Sequence, residues 1–130
     1  MERDTSQRRA IRQVIQEAHG PLTPNEILDG ARRNVPNLGI ATVYRSVKGF
    51  MEEGWLKSVD VPGEPQRYET ADKGHHHHFS CDACGRMYDF HGCPPNIEKL
   101  VPAGFELGRH ELFLYGRCPD CVRRKRKTAK

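Results

Sequence analysis

The chain lacks any long hydrophobic run. Its mean hydropathy is −0.76 and 36% of its 130 residues are hydrophobic. This excludes a membrane-spanning helix, because such a helix needs about 20 consecutive apolar residues. No apolar signal segment opens the sequence, so we expect a cytoplasmic protein in a reducing compartment. Disulfides are disfavoured in that compartment, and the five cysteines require another explanation.

Catalytic motifs are also missing. The chain contains no His-Glu-x-x-His pair, no nucleophile motif and no phosphate-binding loop. A zinc hydrolase needs an open coordination position, a general base and a substrate cleft, and the sequence offers no such set. We therefore do not expect an enzyme, and a zinc hydrolase is kept only as an alternative interpretation of the metal ligands.

Four of the five cysteines form two Cys-x-x-C pairs, Cys81/Cys84 and Cys118/Cys121. Each pair folds two thiolates onto one metal ion, and two pairs complete the tetrahedral set of a structural zinc site. Two disulfides, or four buried thiols without a metal, are the alternatives. Cys93 is left over as a reactive thiol, a metal ligand or a small core residue, and the last is the most common fate of a lone cysteine.

Four adjacent histidines, residues 75–78, precede the first cysteine pair. A zinc ion held by four thiolates needs no further ligand, so these imidazoles serve another site or none. Because side chains alternate along an extended chain, His76 and His78 should face one side and His75 and His77 the other. The run predicts a functional metal site. A solvated polar strand, a purification tag or a metal-storage or metallochaperone module are the alternatives.

Two helices are predicted near the N-terminus. Thr5 can cap the first, and its apolar residues recur at helical spacing: Ile11, Val14, Ile15 and Ala18. Residues 23–26, Thr-Pro-Asn-Glu, have the pattern of a capping box with proline at the first helical position. The second helix therefore starts here and ends before residue 35.

A third helix is predicted from about Ile40 to Glu53, with Gly54 as its terminator. Its buried face is predicted to be Val43, Val47, Phe50 and Met51. Its opposite face is small, aromatic and cationic: Ala41, Tyr44, Arg45 and Lys48. Such a face can enter a DNA major groove, although an ordinary solvated helix face is the alternative for the helix alone.

A β-hairpin is predicted after the third helix. Leu56–Val61 and Gln66–Glu69 have the composition of two strands, joined by Pro62-Gly63-Glu64-Pro65. Three helices followed by a hairpin form the winged-helix pattern, which favours DNA binding. At the other end, residues 123–130 carry six basic residues and no acidic one. This segment is predicted to be a flexible basic tail that attracts DNA non-specifically, or that only aids solubility.

Together these motifs resemble the ferric uptake regulator (Fur) family of bacterial metal-dependent transcriptional repressors. The resemblance runs from Thr5 through residues 39–45, Gly-Ile-Ala-Thr-Val-Tyr-Arg, and the histidine run to residues 114–116, Leu-Tyr-Gly. It implies an α+β protein that forms a homodimer and binds double-stranded operator DNA. It also implies control of metal homeostasis or peroxide-response genes by a second, regulatory divalent ion, Fe(II), Mn(II) or Zn(II), besides the structural zinc.

The resemblance also implies domain boundaries. Residues 1–71 would form the winged-helix DNA-binding domain and residues 72–122 a small α/β metal-binding dimerisation domain, followed by the flexible basic tail at 123–130. Metal bound at the hinge between the domains would close the dimer onto its operator.

Site residues follow from the same resemblance. The structural zinc ligands are Cys81, Cys84, Cys118 and Cys121. The regulatory metal ligands are Glu69, His76, His78 and Asp89. Candidates for a further metal site are His75, His77 and His110. The DNA-contacting residues are Tyr44, Arg45 and Lys48. The mixed imidazole and carboxylate set suits Fe(II), Mn(II) or Zn(II).

One position departs from the family pattern. Iron- and peroxide-sensing members carry a histidine two residues before the capping residue of the second helix, where this chain has Pro21. His19 is the candidate to replace that ligand. His91, close to the regulatory set in sequence, is expected to be a neighbouring residue rather than a ligand.

Overall fold

Three helices open the chain. The computed structural model describes residues 5–128. The chain divides into two compact units, unit 1 (Met1–Lys73) and unit 2 (Gly74–Lys130). Helix α1 spans Ser6–Glu17, α2 spans Pro24–Ala31 and α3 spans Ile40–Glu52. These are the three helices expected from the apolar spacing.

Caps define the helix ends. The Thr5 side chain accepts a hydrogen bond from the backbone N–H of Arg8 at the start of α1. At the start of α2, Thr23 and Glu26 each accept a hydrogen bond from the other's backbone N–H, so the predicted capping box is present. Gly54 follows α3 with φ +78°, a conformation that favours glycine.

The core of unit 1 is apolar and contains residues of all three helices. Phe50 of α3 is fully buried, and its ring packs edge-on against Trp55 at a centroid distance of 4.9 Å. Val43 and Val47 are buried as predicted, but Met51 is 39% exposed, so its predicted burial was wrong. The buried arc of α3 is centred on the row from Val43 to Phe50, and Met51 lies at its rim, about 100° further around the helix.

A two-stranded antiparallel sheet completes unit 1. Strand β1, Leu56–Val59, pairs with β2, Arg67–Thr70. Both strands overlap their predicted ranges, and Gly63 in the connecting turn has φ +78°. Leu22, before α2, makes a bridge to Tyr68 of β2. Three helices and a hairpin form the expected winged-helix architecture.

Unit 2 contains a three-stranded sheet. Strands β3, His77–Cys81, β4, Met87–Phe90, and β5, Phe113–Gly116, lie in the order β4-β3-β5. The β3–β4 pair is antiparallel and the β3–β5 pair is parallel. A 3-10 turn at Ile97–Leu100 lies in the long connection from β4 to β5. The chain thus has the predicted α+β composition.

A fourth helix ends the described chain and corrects one prediction. Helix α4 spans Pro119–Thr128, so residues 123–128 of the predicted flexible tail are helical, and residues 129–130 lie outside the described part. The sequence contains the reason: proline stands at the first helical position, Asp120 lies in the first turn, and arginine and lysine are good helix formers.

The four helices are all short, and within residues 5–128 none has the length and apolar character that would let it cross a bilayer.

Candidate metal centres and nucleic-acid interface

The two Cys-x-x-C pairs meet in unit 2. Cys81 ends β3 and Cys84 lies in the turn after it, whereas Cys118 precedes α4 and Cys121 lies in its first turn. The four sulfur atoms lie within 4.8 Å of one another. The Sγ atoms of Cys84 and Cys118 are 3.8 Å apart. The backbone N–H groups of Cys84 and Cys118 both point at the sulfur of Cys81, at 3.5 and 3.3 Å. Four thiols around one point, with amides directed at a sulfur, are the donor set of tetrahedral zinc.

The cysteine environment separates the acidities of these thiols. Backbone hydrogen bonds, above all from Cys84, lower the pKa of Cys81 to about 6, whereas burial raises the pKa of Cys121 to about 12. The Cys118 pKa is also lowered, mainly by the backbone N–H of Cys121. Cys81 is thus poised as a thiolate before any ion arrives, and a divalent cation would stabilise the deprotonated form of the others.

A second group combines two imidazoles and a carboxylate in unit 2. The ligand atoms of His76, His78 and Asp89 lie within 4.8 Å of one another. His78 on β3 is paired across the sheet with Asp89 on β4, and His78 Nε2 lies 3.5 Å from the Asp89 carboxylate. The His76 Nε2 atom is 3.8 Å from the same oxygen. The antiparallel register therefore builds this group.

The His76 ring is oriented by the backbone. Its Nδ1 donates a hydrogen bond to the carbonyl oxygen of Gly74 at 2.7 Å. In the neutral tautomer that this bond favours, Nε2 carries the lone pair and faces Asp89. The His78 ring is stacked on Phe113 of β5, with centroids 5.5 Å apart. Both rings are therefore preorganised for metal binding, so little rearrangement of their side chains is needed.

Glu69, the fourth predicted ligand of this set, belongs to unit 1. It lies on β2 and is 2% exposed. Within unit 1 two ammonium groups approach its carboxylate: Lys57 Nζ at 3.8 Å and Lys73 Nζ at 3.7 Å. Burial of a carboxylate is costly unless cations compensate it, and these lysines supply that compensation. Its role as a metal ligand stays a prediction.

A third group lies on the other side of the histidine run. It contains His75, His77 and His110, the three residues predicted for a further site, and also Cys93. His75 Nε2 lies 3.1 Å from both Cys93 Sγ and His110 Nε2, and His77 Nε2 lies 3.0 Å from Cys93 Sγ. The alternation expected for the run is thus present, with His76 and His78 in one group and His75 and His77 in the other.

Sequence reasoning did not assign Cys93, although one signal was available. The β3–β4 register pairs His78 with Asp89 and His77 with Phe90. If this pairing is extended beyond the ends of the two strands, residue 93 lies opposite residue 74, next to the start of the histidine run. A prediction of the hairpin register would therefore have placed Cys93 near His75.

His77 is a buried member of the third group. It is 1% exposed, and burial, with the neighbouring imidazoles His75 and His110, lowers its pKa. Its ring is therefore neutral at physiological pH, and neutral imidazole is the form that binds metal ions.

Pro21, which stands where iron- and peroxide-sensing members of the family carry a histidine, lies in a buried, hydrogen-bonded position. Pro21 is fully buried, and its carbonyl oxygen accepts a hydrogen bond from Arg67 Nη1 at 3.1 Å. The same guanidinium atom lies 2.9 Å from the Glu26 carboxylate. His19, the candidate replacement ligand, is exposed and belongs to no group of three or more metal-ligating side chains within residues 5–128.

The outer face of α3 is the candidate nucleic-acid interface. Tyr44 is 55% exposed, and Arg45 and Lys48 are also exposed. Arg45 Nη2 donates to Thr42 Oγ1 at 3.0 Å, which orients the guanidinium along the helix. Tyr44 and Lys48 also line an open groove that reaches Tyr68 on the wing. The arrangement offers an aromatic ring and two cations on one exposed helix face.

Comparisons with known proteins agree with this architecture. The sequence profile of the Ferric uptake regulator family matches residues 2–115. The ferric uptake regulation protein of Campylobacter jejuni subsp. jejuni serotype O:2 is 33% identical over 131 residues, which cover 95% of this chain and 82% of that protein. The peroxide operon regulator of Bacillus subtilis is 30% identical over 127 residues, covering 95% of this chain and 86% of that protein.

A solved structure supports the same conclusion. The zinc-bound manganese uptake regulator superimposes with a TM-score of 0.77 at 31% identity, covering 90% of this chain and 91% of that chain. These relatives are regulators, so the metal-storage, metallochaperone and zinc-hydrolase interpretations gain no support from them. The family profile covers most of the chain, and the protein therefore belongs to the ferric uptake regulator family of metal-responsive transcriptional repressors.

Proposed function

We propose that this protein is a homodimeric repressor whose binding to double-stranded operator DNA is controlled by a divalent ion at His76, His78, Asp89 and Glu69. The observation that carries the proposal is the set of two oriented imidazoles opposite one carboxylate in unit 2. His76 and His78 both direct Nε2 at Asp89, at 3.8 and 3.5 Å. The genes under control are those of metal homeostasis or of the peroxide response.

The donor atoms define the class of regulatory ion. Two imidazole nitrogens and carboxylate oxygens form a borderline-to-hard set that suits Fe(II), Mn(II) or Zn(II) and serves Cu(I) poorly. The names of similar proteins refer to iron, peroxide, and manganese uptake with bound zinc. The chain is thus proposed to carry a structural zinc at its four paired cysteines and one of these three ions at the regulatory site.

Metal would act through linkage rather than catalysis. Glu69 belongs to unit 1, whereas His76, His78 and Asp89 belong to unit 2. An ion that is bound by residues of both units favours the arrangement in which all its ligands meet. A ligand shifts a conformational equilibrium only by its differential affinity for the two states, and shared ligation supplies that difference.

DNA would be read by α3. Tyr44 would contact a base edge or a thymine methyl group, while Arg45 and Lys48 bind base edges or phosphates. A two-fold dimer presents two such helices to the half-sites of a near-palindromic operator. The basic residues of α4, among them Arg123 and Arg124, add salt-dependent attraction to DNA. Bacterial operator DNA is cytoplasmic, and we infer the same location for the protein.

Dimerisation is proposed to use the apolar surface of unit 2. Leu114 and Tyr115 on the edge strand β5 are 44% and 56% exposed. Leu100 and Phe105, in the connection from β4 to β5, are 77% and 69% exposed. Large exposed apolar side chains concentrated in a small unit are typical of an interface between subunits.

An operator titration tests the proposal. Protein with its four-cysteine site loaded with zinc is titrated onto a labelled metal-uptake promoter fragment, in separate series with Mn(II), anaerobic Fe(II) and Zn(II), and anisotropy is measured. We expect one ion to raise the affinity at least about tenfold, which corresponds to about 1.4 kcal/mol of coupling. No response to any of the three ions would contradict the proposal.

Matched variants locate the switch. The double variant His76→Ala, His78→Ala should lose the metal response but keep its structural zinc and its dimeric state. His91→Ala is the control, because His91 is exposed and its ring lies 6.3 Å from that of His76 without belonging to the regulatory set. It should respond like the unmodified protein. A metal response retained in the double variant would remove these two histidines from the switch.

A further inference from the structure

We propose that Cys93 is the fourth ligand of the site formed by His75, His77 and His110, and that its thiolate makes this site selective for Zn(II) or Co(II) over Mn(II) and Fe(II). This inference goes beyond the proposed function and develops the further site that the family resemblance implies, because it adds a ligand and identifies the class of ion bound there. The sequence pattern left the role of Cys93 open.

Distances support a four-ligand site. The three imidazole Nε2 atoms lie 3.0, 3.1 and 3.6 Å from Cys93 Sγ, and His75 Nε2 lies 3.1 Å from His110 Nε2. A tetrahedral zinc ion with bonds of about 2.0–2.3 Å separates its ligand atoms by about 3.3–3.6 Å. The observed separations differ from these by a few tenths of an ångström, so small side-chain rotations are enough to admit an ion.

Hydrogen bonds among the three histidines and Cys93 do not by themselves explain why their nitrogen and sulfur atoms lie so close together. Three ring nitrogens and one sulfur point at a common centre, and each neutral imidazole has only one N–H to donate. The rings are also closely packed, with centroids 4.5 Å apart for His75 and His77 and 4.6 Å apart for His75 and His110. Four lone-pair donors around one point are the arrangement that a tetrahedral cation requires.

The backbone around Cys93 holds the thiol in place and leaves it accessible. Cys93 follows β4 and is succeeded by Pro94 and Pro95, whose rings restrict the backbone. The residue is exposed, as is His75, whereas His77 is buried. An ion can therefore enter from solvent on the exposed side, near Cys93 and His75, and be bound on the buried side by His77.

The sulfur gives this site a different preference from the regulatory site. Thiolate is a soft ligand that favours Zn(II) and Co(II), whereas carboxylate and imidazole ligands also suit Mn(II) and Fe(II). His76, His78 and Asp89 contribute no sulfur. The histidine run thus contributes to two different sites. On one face, His75 and His77 belong to a set of three nitrogens and one sulfur. On the other face, His76 and His78 belong to a set of nitrogen and oxygen ligands. The site that contains Cys93 is therefore expected to prefer Zn(II), whereas the regulatory site accepts Mn(II), Fe(II) or Zn(II).

Cobalt spectroscopy tests the inference on the full-length dimer. The four-cysteine site is first filled with zinc, which is verified by metal analysis, and Co(II) is then added. Ligation by Cys93 predicts a sulfur-to-cobalt charge-transfer band in the near ultraviolet. Cys93→Ser should remove the band and weaken Zn(II) binding at this site at least about 100-fold, since even outer partners of metal ligands are worth about 10–100-fold.

Two comparison variants separate ligation from structural effects. Cys93→His supplies a fourth nitrogen, so it should restore tetrahedral cobalt absorption without the charge-transfer band. The double variant His76→Ala, His78→Ala lacks the regulatory ligands and should keep the band. In the unmodified protein, Zn(II) should displace the cobalt, whereas a large excess of Mn(II) should leave it bound.

Each contrary result has a distinct meaning. A charge-transfer band that survives Cys93→Ser would overturn the proposal, because the sulfur would then come from another cysteine. Cobalt bound without such a band would overturn it while leaving a site of three histidines intact. Displacement of cobalt by Mn(II) would overturn the selectivity. The proposed repressor function fails separately, if the operator titration shows no response to metal.

Discussion

The two units of this protein are stabilised by different means. Within the described residues, unit 1 has a core cluster of twelve buried residues from the three helices, the connection between α2 and α3, and the hairpin. Ile11, Ile27 and Phe50 are among them and are fully buried. In unit 2 a buried cluster contains three cysteines, Cys81, Cys118 and Cys121, with Tyr88 packed against it. One unit is built on apolar burial, and the other is built around donor atoms for a metal.

This difference fits the tasks proposed for the two units. A domain of fewer than about 70–80 residues rarely gains enough stability from its core alone and commonly uses a metal or a partner subunit. Unit 1 has a dense apolar core, so we expect the proposed DNA-reading helix α3 to stay folded with or without metal. Unit 2 is expected to couple its folded state to metal binding, so its stability should respond to metal supply.

Loss of a zinc ligand is expected to have the largest effect. Cys118→Ser removes one of four ligands from a buried position, and the remaining thiols then surround an incomplete site. We expect loss of the structural zinc and of the folded state of unit 2, whereas the helices of unit 1 persist. Metal analysis gives the zinc content, and hydrogen exchange resolved by segment reports which unit is unfolded.

The control for this change is Asp82→Ala. Asp82 is exposed and adjacent to Cys81 in the first cysteine turn, but its side chain belongs to no group of metal-ligating residues found within residues 5–128. It should keep a full zinc content. If Cys118→Ser unfolded both units together, or neither, the division between a metal-dependent and a core-dependent unit would be wrong.

The converse change is made in the core of unit 1. Phe50 is fully buried against Trp55, and the Arg8 guanidinium lies 4.4 Å from its ring centroid. Phe50→Ala should lower the free energy of unfolding of unit 1 by about 3–5 kcal/mol, since it deletes a large buried ring and leaves a cavity. Urea denaturation followed by Trp55 fluorescence measures this change, and the zinc content should stay the same.

Met51→Ala is the matched control for Phe50→Ala. Met51 is the next residue on α3 but is 39% exposed, so its truncation should cost far less than that of Phe50. Equal losses for the two variants would mean that α3 is not packed on the face described above.

The sequence predicted unit 1 well because its signals are local. The Thr23 capping box, the proline that follows it and the helical spacing of Ile11 and Ile15 each act within a few residues of the chain. Met51 was misjudged because helical spacing defines a face but not the width of its buried part. Residues 123–128 were misjudged because charge was given more weight than helix propensity and the N-terminal proline.

The grouping of the candidate metal-ligating side chains was predicted only in part, because only part of it depends on local signals. Alternation along an extended strand separated His76 and His78 from His75 and His77. The proposed contribution of Cys93 depends on the pairing register of β3 and β4 and on the path of the chain after β4. That register was not predicted from the sequence, so the position of Cys93 beside the histidine run was recognised only in the folded structure.

Tyr44→Ala tests whether DNA binding belongs to unit 1 and can be changed without affecting metal binding in unit 2. The residue is exposed on α3, so its truncation should leave folding, zinc content and the affinity for regulatory metal unchanged. Loss of a base contact should reduce operator affinity about tenfold. Anisotropy on the operator fragment measures this loss, and Gln16→Ala, an exposed change on α1, is the control. Unaltered operator binding would remove Tyr44 from the interface.

The smallest expected effect concerns a single cap in unit 1. Thr23 Oγ1 accepts the backbone N–H of Glu26 at 3.2 Å, while the Glu26 carboxylate accepts both the Thr23 N–H and Arg67 Nη1, each at 2.9 Å. Thr23→Ala removes the side-chain half of this capping box and should lower the free energy of unfolding of unit 1 by about 1 kcal/mol. Thr23→Ser keeps the hydroxyl and should retain most of that stability.

The same cap is informative about the independence of the units. Thr23 lies in unit 1, so the loss caused by Thr23→Ala should be the same in zinc-loaded protein and in protein stripped of zinc by a chelator. Urea denaturation under both conditions gives the two values, and distant, independent sites are additive within about 0.3–0.5 kcal/mol. A larger difference would mean that metal in unit 2 changes the stability of unit 1, and the helical core would then not be a separate source of stability.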